Sequence, residues 1–191
     1  MSYNIEKVAI LGAGTMGAQI AGHCANAGIP ALLFDLNDEL VQNGMNVLTS
    51  LKPAPLYDKK IVALIEGCTY ENDLEKLSDV DWIVEAVAEK MEIKHKVFQN
   101  IVPHVKDDVI LSTNTSGLSV HGIAEVLPEN LLKRFLLTHF FNPPRYMRLL
   151  ELVKGPNTSD DIYNSMAAFG EDVLGKGIVH AKDTPNFIGN R

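Results

Sequence analysis

His139 and Glu151 have the residue types and the spacing that proton transfer requires. His139 lies at the end of a predicted apolar strand, and Glu151 lies within the apolar run 149–153 that follows. A histidine so placed can act as a general base, and a carboxylate can hold its second ring nitrogen and stabilise the imidazolium. A carboxylate in an apolar run needs a partner, and Arg145 or Arg148 could serve in place of His139. Spacing alone predicts a base and leaves the partner of Glu151 open.

A glycine motif near the amino terminus predicts a dinucleotide site. The apolar run Val8–Leu11 is followed by Gly-Ala-Gly-Thr-Met-Gly at residues 12–17. The first glycine permits a tight turn, the second lets the backbone approach a pyrophosphate, and the third lets a helix pack on the strand. Unpaired N–H groups at the helix start then face the phosphates. The motif residues expected to bind the cofactor are Gly12, Gly14, Thr15, Met16 and Gly17.

Asp35 indicates which dinucleotide is bound. It ends the second apolar run, 23 residues after Gly12, where a carboxylate can accept hydrogen bonds from the adenine-ribose hydroxyls. A carboxylate there would repel a 2′-phosphate, and no arginine follows within the next few residues. The sequence therefore predicts NAD rather than NADP, with a helix-capping role for Asp35 as the secondary interpretation.

The apolar pattern predicts the elements that position these residues. The predicted strands are Val8–Leu11, Ala31–Phe34, Trp82–Val87, Val109–Leu111, Phe135–Phe140, Leu149–Val153 and Ile178–Ala181. The predicted helices are Met16–Ala27, Asp38–Leu51, Ile93–Val102, Val120–Leu127 and Ser159–Leu174, with the start of another from Phe187. This alternation predicts an α/β fold with a doubly wound, mostly parallel sheet of Rossmann type and flanking helices. We also expect a helical insertion at about residues 51–73, with a helix near Asp58–Glu66, leaning over the ligand cleft.

Composition excludes several classes of function. The 191 residues carry a net charge of -7, which disfavours a nucleic-acid partner, and no apolar run is long enough to span a membrane. The two cysteines, Cys24 and Cys68, are too few for a disulfide framework. We find no metal-ligand spacing, and therefore expect no metal. The first strand begins too close to Met1 for a signal peptide, so we expect a cytoplasmic setting.

Polar residues at two further strand ends are candidates for the ligand cleft. The stretch Ser112–Ser116 follows a predicted strand, and its side chains would point into the crevice where such sheets bind ligands. A turn that caps the following helix is the alternative, and both roles can coexist. Glu85 and Glu89 flank the end of another strand, but no histidine cluster accompanies them.

Five segments together resemble the NAD-binding domain of the 3-hydroxyacyl-CoA dehydrogenases, and the resemblance covers nearly all of residues 1–191. The segments are residues 12–17, 84–89, 112–116, 139–143 and 183–191. Residues 52–56, residues 142–146 and the pair Pro185-Asn186, where the family commonly has Pro-Gly, resemble the long multidomain branch of the family.

The resemblance implies a role for each matching residue. His139 would take the 3-hydroxyl proton, Glu151 would orient it, and Ser116 and Asn190 would contact the substrate near its reacting oxygen or thioester. The residues implied to line the NAD site are Asp35, Glu89, Lys94, Asn114 and Asn142. Contacts to coenzyme A do not align cleanly, and the candidates for them are Ser50, Lys52, Lys59 and Lys60.

The resemblance also implies the partners of the chain. The substrate would be a 3-hydroxyacyl-CoA, oxidised to the 3-oxoacyl-CoA in fatty acid beta-oxidation. Family members continue into carboxyl-terminal helical domains that close over the substrate and form a homodimer, and we expect those domains to be absent here. Two alternatives stay open: an NAD-binding module with little activity by itself, and a different Rossmann dehydrogenase that acts on a small hydroxy acid.

Overall fold

An eight-stranded sheet organises the protein in the computed structural model, which describes residues 4–190. The strands lie in the order β3-β2-β1-β4-β5-β6-β7-β8. Along the chain they are β1 Val8–Leu11, β2 Ala31–Asp35, β3 Ile65–Thr69, β4 Trp82–Glu85, β5 Ile110–Thr113, β6 Phe135–Phe140, β7 Leu149–Lys154 and β8 Gly177–His180. Neighbouring strands pair in parallel except β6 and β7, which are antiparallel. The predicted doubly wound, mostly parallel sheet is confirmed.

Helices cover the sheet and begin where the sequence supplies caps. They are α1 Thr15–Asn26, α2 Asp38–Ser50, α3 Met91–Ile101, α4 Val120–Ala124, α5 Glu129–Leu132 and α6 Asp160–Asp172, with 3-10 helices at Lys59–Leu64, Leu74–Asp79 and Val102–His104. The Asn37 side chain accepts a hydrogen bond from the N–H of Leu40 at the start of α2. Gly28 follows α1 with a φ of +83°, a conformation that glycine adopts readily. None of the helices in residues 4–190 is long and apolar enough to cross a membrane.

Apolar layers lie on both faces of the sheet. Along β1, Val8 and Ile10 pack in the layer that contains α1, whereas Ala9 and Leu11 pack in the layer on the opposite face. All four side chains are fully buried. Burial on both faces explains why the strands read as continuous apolar runs rather than as alternating ones.

The predicted helical insertion at about residues 51–73 is wrong in part. Residues Ile65–Thr69 form β3 and pair in parallel with β2, so the helical part is limited to the 3-10 helix Lys59–Leu64. The preceding segment packs on the carboxyl-terminal end of α1, where Asn26 hydrogen-bonds both the carbonyl of Pro55 and the N–H of Tyr57. It also meets Arg145, in the turn after β6, which donates to the carbonyls of Ala54 and Leu56.

Two smaller expectations are also wrong. Ser112 and Thr113 lie within β5 and are fully buried, not in the turn that follows it. Residues 185–190 form turns instead of starting a helix, because Asn186 and Phe187 have left-handed φ values of 64° and 49°.

Strand order places the candidate residues at one edge of the sheet. The chain winds outward in one direction from β1 through β3 and in the other direction from β4, so the order reverses between β1 and β4. Ligands of such sheets bind outside the carboxyl ends of the strands at this reversal. The register aligns Leu11 with Glu85 and Glu85 with Thr113. The glycine motif and the residues that follow β4, β5 and β6 therefore lie along the same crevice.

Candidate active site

Each of the three glycines in the motif is suited to its position for a different physical reason. Gly12 has a φ of +107°, and a Cβ there would lie 2.8 Å from the carbonyl oxygen of Ala86. A Cβ on Gly17 would lie 1.8 Å from the carbonyl oxygen of Gly12, so only glycine lets α1 approach the turn so closely. A Cβ on Gly14 would have no heavy atom within 4 Å. Open space beside Gly14 is what a pyrophosphate would fill.

The start of α1 offers unpaired N–H groups to an anion. The N-cap, Gly14, has no side chain to accept a hydrogen bond, and the first helical bond runs from the N–H of Ala18 to the carbonyl of Gly14. Thr15, Met16 and Gly17 precede that bond. The helix dipole adds to the attraction for a phosphate. The residues predicted for the dinucleotide therefore fit its pyrophosphate.

Asp35 supports the glycine turn from the end of β2. Its Oδ2 accepts a hydrogen bond of 2.7 Å from the N–H of Ala13, and its Oδ1 accepts one of 2.7 Å from the N–H of Leu36. Each carboxylate oxygen keeps a second lone pair for a ribose hydroxyl. Asp35 therefore has a structural role beside its predicted contact with the adenine ribose, and the helix-capping role belongs to Asn37 instead.

A buried ion-pair network lies beyond the end of β4. Lys94 Nζ lies 2.7 Å from Glu85 Oε1 and 3.3 Å from Glu89 Oε2, and the Lys94 and Glu85 side chains are almost completely buried. Glu85 also accepts hydrogen bonds from the N–H of Val87 and from the Thr113 hydroxyl. Lys94 was predicted to line the NAD site, but its ammonium is enclosed by these partners. From this buried position the Lys94 ammonium holds the Glu89 carboxylate.

Glu89 joins this network to the turn after β5. Its Oε1 accepts hydrogen bonds from the hydroxyl of Thr115 and from the N–H groups of Ser116 and Gly117. Burial alone would raise the pKa of the Glu89 carboxyl, but these hydrogen bonds and the charge of Lys94 outweigh burial and lower it. Glu89 is therefore an anion that fixes the loop bearing Ser116.

Asn114 and Asn142 also lie at the carboxyl edge of the sheet. Asn114 Oδ1 accepts a hydrogen bond of 2.8 Å from the N–H of Phe140, which ties the end of β5 to the end of β6. Asn142 Oδ1 accepts a hydrogen bond of 3.1 Å from the side-chain amide of Gln19, in the second turn of α1. Both predicted cofactor residues thus border the glycine turn or the base.

His139 and Glu151 form the predicted pair. The register of β6 and β7 sets them directly opposite each other, and His139 Nδ1 lies 2.7 Å from Glu151 Oε2. The side chains are 4% and 0% exposed, so the pair is shielded from water. Arg145, an open alternative, instead donates to the carbonyls of Ala54 and Leu56.

The second ring nitrogen of His139 is available as a base. A carboxylate can only accept at Nδ1, so Nδ1 carries the proton and Nε2 has a free lone pair. None of residues 4–190 hydrogen-bonds Nε2. The rings of Phe141 and Phe187 flank the imidazole at centroid distances of 4.5 and 5.8 Å. An apolar wall around a free nitrogen suits proton abstraction from a bound alcohol.

Ser116 and Asn190, predicted to contact the substrate, are both exposed. Neither side chain has a hydrogen-bond partner among residues 4–190, so both are free to meet a ligand. The coenzyme A candidates are more scattered. Ser50 donates to the carbonyl of Asn46, while Lys59 and Lys60 lie on the exposed 3-10 helix after α2.

Sequence reasoning missed Lys176, a buried residue that supports the site. Lys176 is buried beside Phe140, donates to the carbonyls of Pro144 and Met147, and so holds the turn after Asn142. Burial lowers the pKa of Lys176 to about 8. The sequence around Lys176 does not indicate this role, because its partners Pro144 and Met147 lie 32 and 29 residues earlier in the chain.

No group of three or more potential metal ligands comes together anywhere in residues 4–190. The site combines a histidine that is flanked by aromatic rings with a glycine turn that has open space beside it. Together with the sheet, the glycine turn defines the class: a dinucleotide-binding domain of Rossmann type.

The comparison with protein families identifies the family to which this domain belongs. The family described as "3-hydroxyacyl-CoA dehydrogenase, NAD binding domain" matches residues 7–184. The chain therefore belongs to this family, and the prediction of NAD as cofactor is confirmed.

Three similar proteins illustrate the relationship. A probable 3-hydroxyacyl-CoA dehydrogenase of Bacillus subtilis strain 168 is 45% identical over 212 residues, covering 100% of this chain and 27% of that protein. A putative fatty acid oxidation complex trifunctional enzyme of Rickettsia felis is 39% identical over 198 residues, covering 100% of this chain and 28% of that protein. The crystal structure of (S)-3-hydroxybutyryl-CoA dehydrogenase PaaH1 from Ralstonia eutropha has 34% identity and a TM-score of 0.83, covering 98% of this chain and 67% of that one. The chain thus spans about a quarter of the length of the two curated relatives.

Proposed function

We propose that the chain is the NAD-binding half of a catalytic site that oxidises the 3-hydroxyl of a 3-hydroxyacyl-CoA to a 3-oxoacyl-CoA. The observation that carries the proposal is the buried His139–Glu151 pair, with Nδ1 held at 2.7 Å and Nε2 free. The names of the B. subtilis and R. eutropha relatives support the substrate class, and the name of the R. felis relative supports a role in fatty acid oxidation.

The mechanism assigns one task to each end of the imidazole. Nε2 of His139 takes the hydroxyl proton, while Nδ1–H stays hydrogen-bonded to Glu151. The buried carboxylate stabilises the imidazolium that results, because opposite charges interact strongly where water is excluded. Bound NAD would supply the hydride acceptor. General-base catalysis of this kind contributes about 10²–10⁴-fold to the rate.

The chain would hold the dinucleotide with groups at or just after the ends of five strands, β1, β2, β4, β5 and β6. Gly14 and the N–H groups at the start of α1 would bind the pyrophosphate, and Asp35 would accept from the adenine ribose. Glu89, Asn114 and Asn142 would border the nicotinamide half. Ser116 and Asn190, both exposed, would contact the substrate near its reacting oxygen or thioester.

Single-turnover kinetics would test this proposal. The chain, in excess over NADH, is mixed with acetoacetyl-CoA, and NADH absorbance is followed in the wild type and in His139→Gln. Calorimetry first establishes that both proteins bind NADH equally. We expect the variant to oxidise NADH at least about 100-fold more slowly, since it lacks the proton donor for the reverse reaction. Equal rates in the two proteins would refute the proposal.

A second candidate function is an NAD-binding module with little turnover of its own. It is favoured by the short share of the curated relatives that the chain spans, 27% and 28%. In those proteins the remaining length could supply the other wall of the substrate cleft and a dimer contact. Tight NADH binding without oxidation by the wild type would favour this module, and turnover of a small hydroxy acid lacking coenzyme A would disfavour both candidates.

A further inference from the structure

Gln19 is a buried amide on α1, outside the glycine motif, and it contacts the candidate site. Its side chain is 2% exposed, and its Nε2 donates to the carbonyl of Thr15 and to Asn142 Oδ1, each at 3.1 Å. Its Oε1 is buried without a hydrogen-bond partner among residues 4–190. A buried oxygen without a partner costs stability. The contribution of Gln19 to the fold therefore does not explain why an amide lies here.

The backbone of α1 fixes the orientation of the Gln19 amide. The oxygen and the nitrogen of an amide have similar shapes, so their contacts decide which way the group points. The Thr15 carbonyl can only accept, and the atom of Gln19 that faces it must be the nitrogen. The same nitrogen meets Asn142, so the atom of Asn142 on this side must be its oxygen. A reversed Gln19 would place its oxygen against the Thr15 carbonyl.

The NH2 group of Asn142 is consequently left for a ligand. None of residues 4–190 accepts a hydrogen bond from it, and Asn142 is half-buried, three residues after His139. Through Gln19 it also lies beside the start of α1, where the pyrophosphate would bind. A donor between the pyrophosphate site and the base suits an acceptor oxygen in the nicotinamide riboside half of NAD. A reversed Asn142 would meet that oxygen with a second acceptor.

We infer that Gln19 is a positioning residue that sets the orientation of the Asn142 amide, so that the site offers a donor to the nicotinamide riboside half of NAD. This inference rests on the proposed function for the placement of Asn142 beside that half of the cofactor. In Gln19→Met the side chain keeps a similar length but has no donor. Asn142 is then free to adopt either orientation, and only part of the population is competent to bind.

Calorimetry with two ligands provides the first test. NADH contains both halves of the cofactor, whereas ADP contains only adenosine and the pyrophosphate. Gln19→Met should weaken NADH binding about fivefold, the effect of one lost hydrogen bond, and ADP binding less than about twofold. Gln42→Met is the matched control, because Gln42 makes the same kind of bond to Asn46, at 3.2 Å, on the exposed face of α2. It should bind both ligands as the wild type does.

Two results of this calorimetry would overturn the inference. Equal losses of NADH and ADP affinity in Gln19→Met would show that the substitution displaces the start of α1 instead of releasing Asn142. Unchanged NADH affinity would show that Gln19 does not affect the contact at all.

A double-mutant cycle then asks whether Gln19 acts through Asn142. In an Asn142→Ala background, Gln19→Met should change NADH affinity by less than about twofold, because the group that it orients is gone. A merely structural Gln19 would weaken NADH binding by the same factor in both backgrounds, and that result would overturn the inference. Asn142→Ala alone should weaken NADH binding about fivefold or more, and an unchanged affinity would equally count against it.

NMR of the ¹⁵N-labelled wild-type chain gives a test that depends on no variant folding. The side-chain NH2 signals of Asn142 should shift when NADH is added and stay at their free positions when ADP is added. Equal shifts with the two ligands, or no shift with either, would overturn the inference. Failure of NADH oxidation by acetoacetyl-CoA would refute the proposed function and leave these binding results unaffected.

Discussion

His23 should make the protein less stable as the pH falls towards 5. It lies in α1 at 6% exposure, and its Nε2 donates to the carbonyl of Leu174 at 3.0 Å. Its Nδ1 is buried without a partner among residues 4–190. Burial, together with the nearby charge of Lys176, lowers the pKa of His23 from 6.5 to about 4. A proton added at Nδ1 would be a buried charge with nothing to accept from it.

The size of the expected decrease in the free energy of unfolding follows from the pKa values of His23 in the unfolded and folded chain. The unfolded chain binds a proton at His23 below about pH 6.5, whereas the folded chain binds it only below about pH 4. Between these values the unfolded state holds more protons, so the free energy of unfolding decreases as the pH decreases. With one pKa unit equal to about 1.4 kcal/mol, His23 alone should remove about 2 kcal/mol between pH 7 and pH 5.

Urea unfolding at pH 7 and pH 5 measures this loss, with His23→Gln as the test variant. The glutamine amide can still donate to Leu174 but does not titrate. Trp82 is the only tryptophan, is fully buried and packs against Phe169, so its fluorescence reports unfolding. The variant should lose about 2 kcal/mol less than the wild type between the two pH values. His104→Gln, at a partly exposed position, is the control and should follow the wild type. Parallel curves for wild type and His23→Gln would refute this reasoning.

Three further predictions concern backbone positions. Gly17→Ala should destabilise the fold by about 3 kcal/mol or more, since its Cβ would lie 1.8 Å from the Gly12 carbonyl oxygen. Gly14→Ala should change the free energy of unfolding by less than about 1 kcal/mol but weaken NADH binding at least about tenfold, as measured by urea unfolding and calorimetry. Equal effects of both substitutions on stability would contradict the roles assigned to the two glycines. Asn186→Ala should cost about 1 kcal/mol more than Asn186→Gly in urea unfolding, because asparagine and glycine tolerate the left-handed φ of 64° better than alanine does. A smaller loss for alanine would show that this φ is not maintained in solution.

Much of the sheet could be predicted because burial on both faces leaves an unmistakable pattern. Seven strands, from Val8–Leu11 to the segment near Ile178, were predicted within a few residues of their observed ends. The strand Ile65–Thr69 was missed. It is an edge strand with Glu66 and Gly67 exposed, so its sequence has neither a continuous apolar run nor a regular alternation. The preceding Asp58–Glu66 pattern was helical only up to Leu64.

The site was predictable where the chemistry is local and not where it depends on distant contacts. The glycine motif and Asp35 follow from a short-range pattern with a known physical basis. The pairing of His139 with Glu151 required the antiparallel register of β6 and β7, which spacing alone left open. The sequence placed Lys94 at the site but did not identify Glu85 as its buried partner. Only the folded structure brings the Glu85 carboxylate to the Lys94 ammonium.

The hydrogen bonds from the backbone of Ile188 and Gly189 to Glu151 were equally hidden from the sequence. The N–H groups of Ile188 and Gly189 lie 37 and 38 residues from Glu151 in the sequence. The turns that bring them to Glu151 have no recognisable residue pattern. The asparagine at position 186 has a physical reason, because asparagine tolerates the left-handed φ of 64° that the segment requires.

We propose above all that His139, held by Glu151, transfers the proton in an NAD-linked reaction. The most direct measurement is the single-turnover rate of NADH oxidation by acetoacetyl-CoA in the wild type and in His139→Gln, each shown by calorimetry to bind NADH. We predict equal NADH affinity and a rate at least about 100-fold lower in the variant. A variant that binds NADH and reacts at the wild-type rate would contradict the claim.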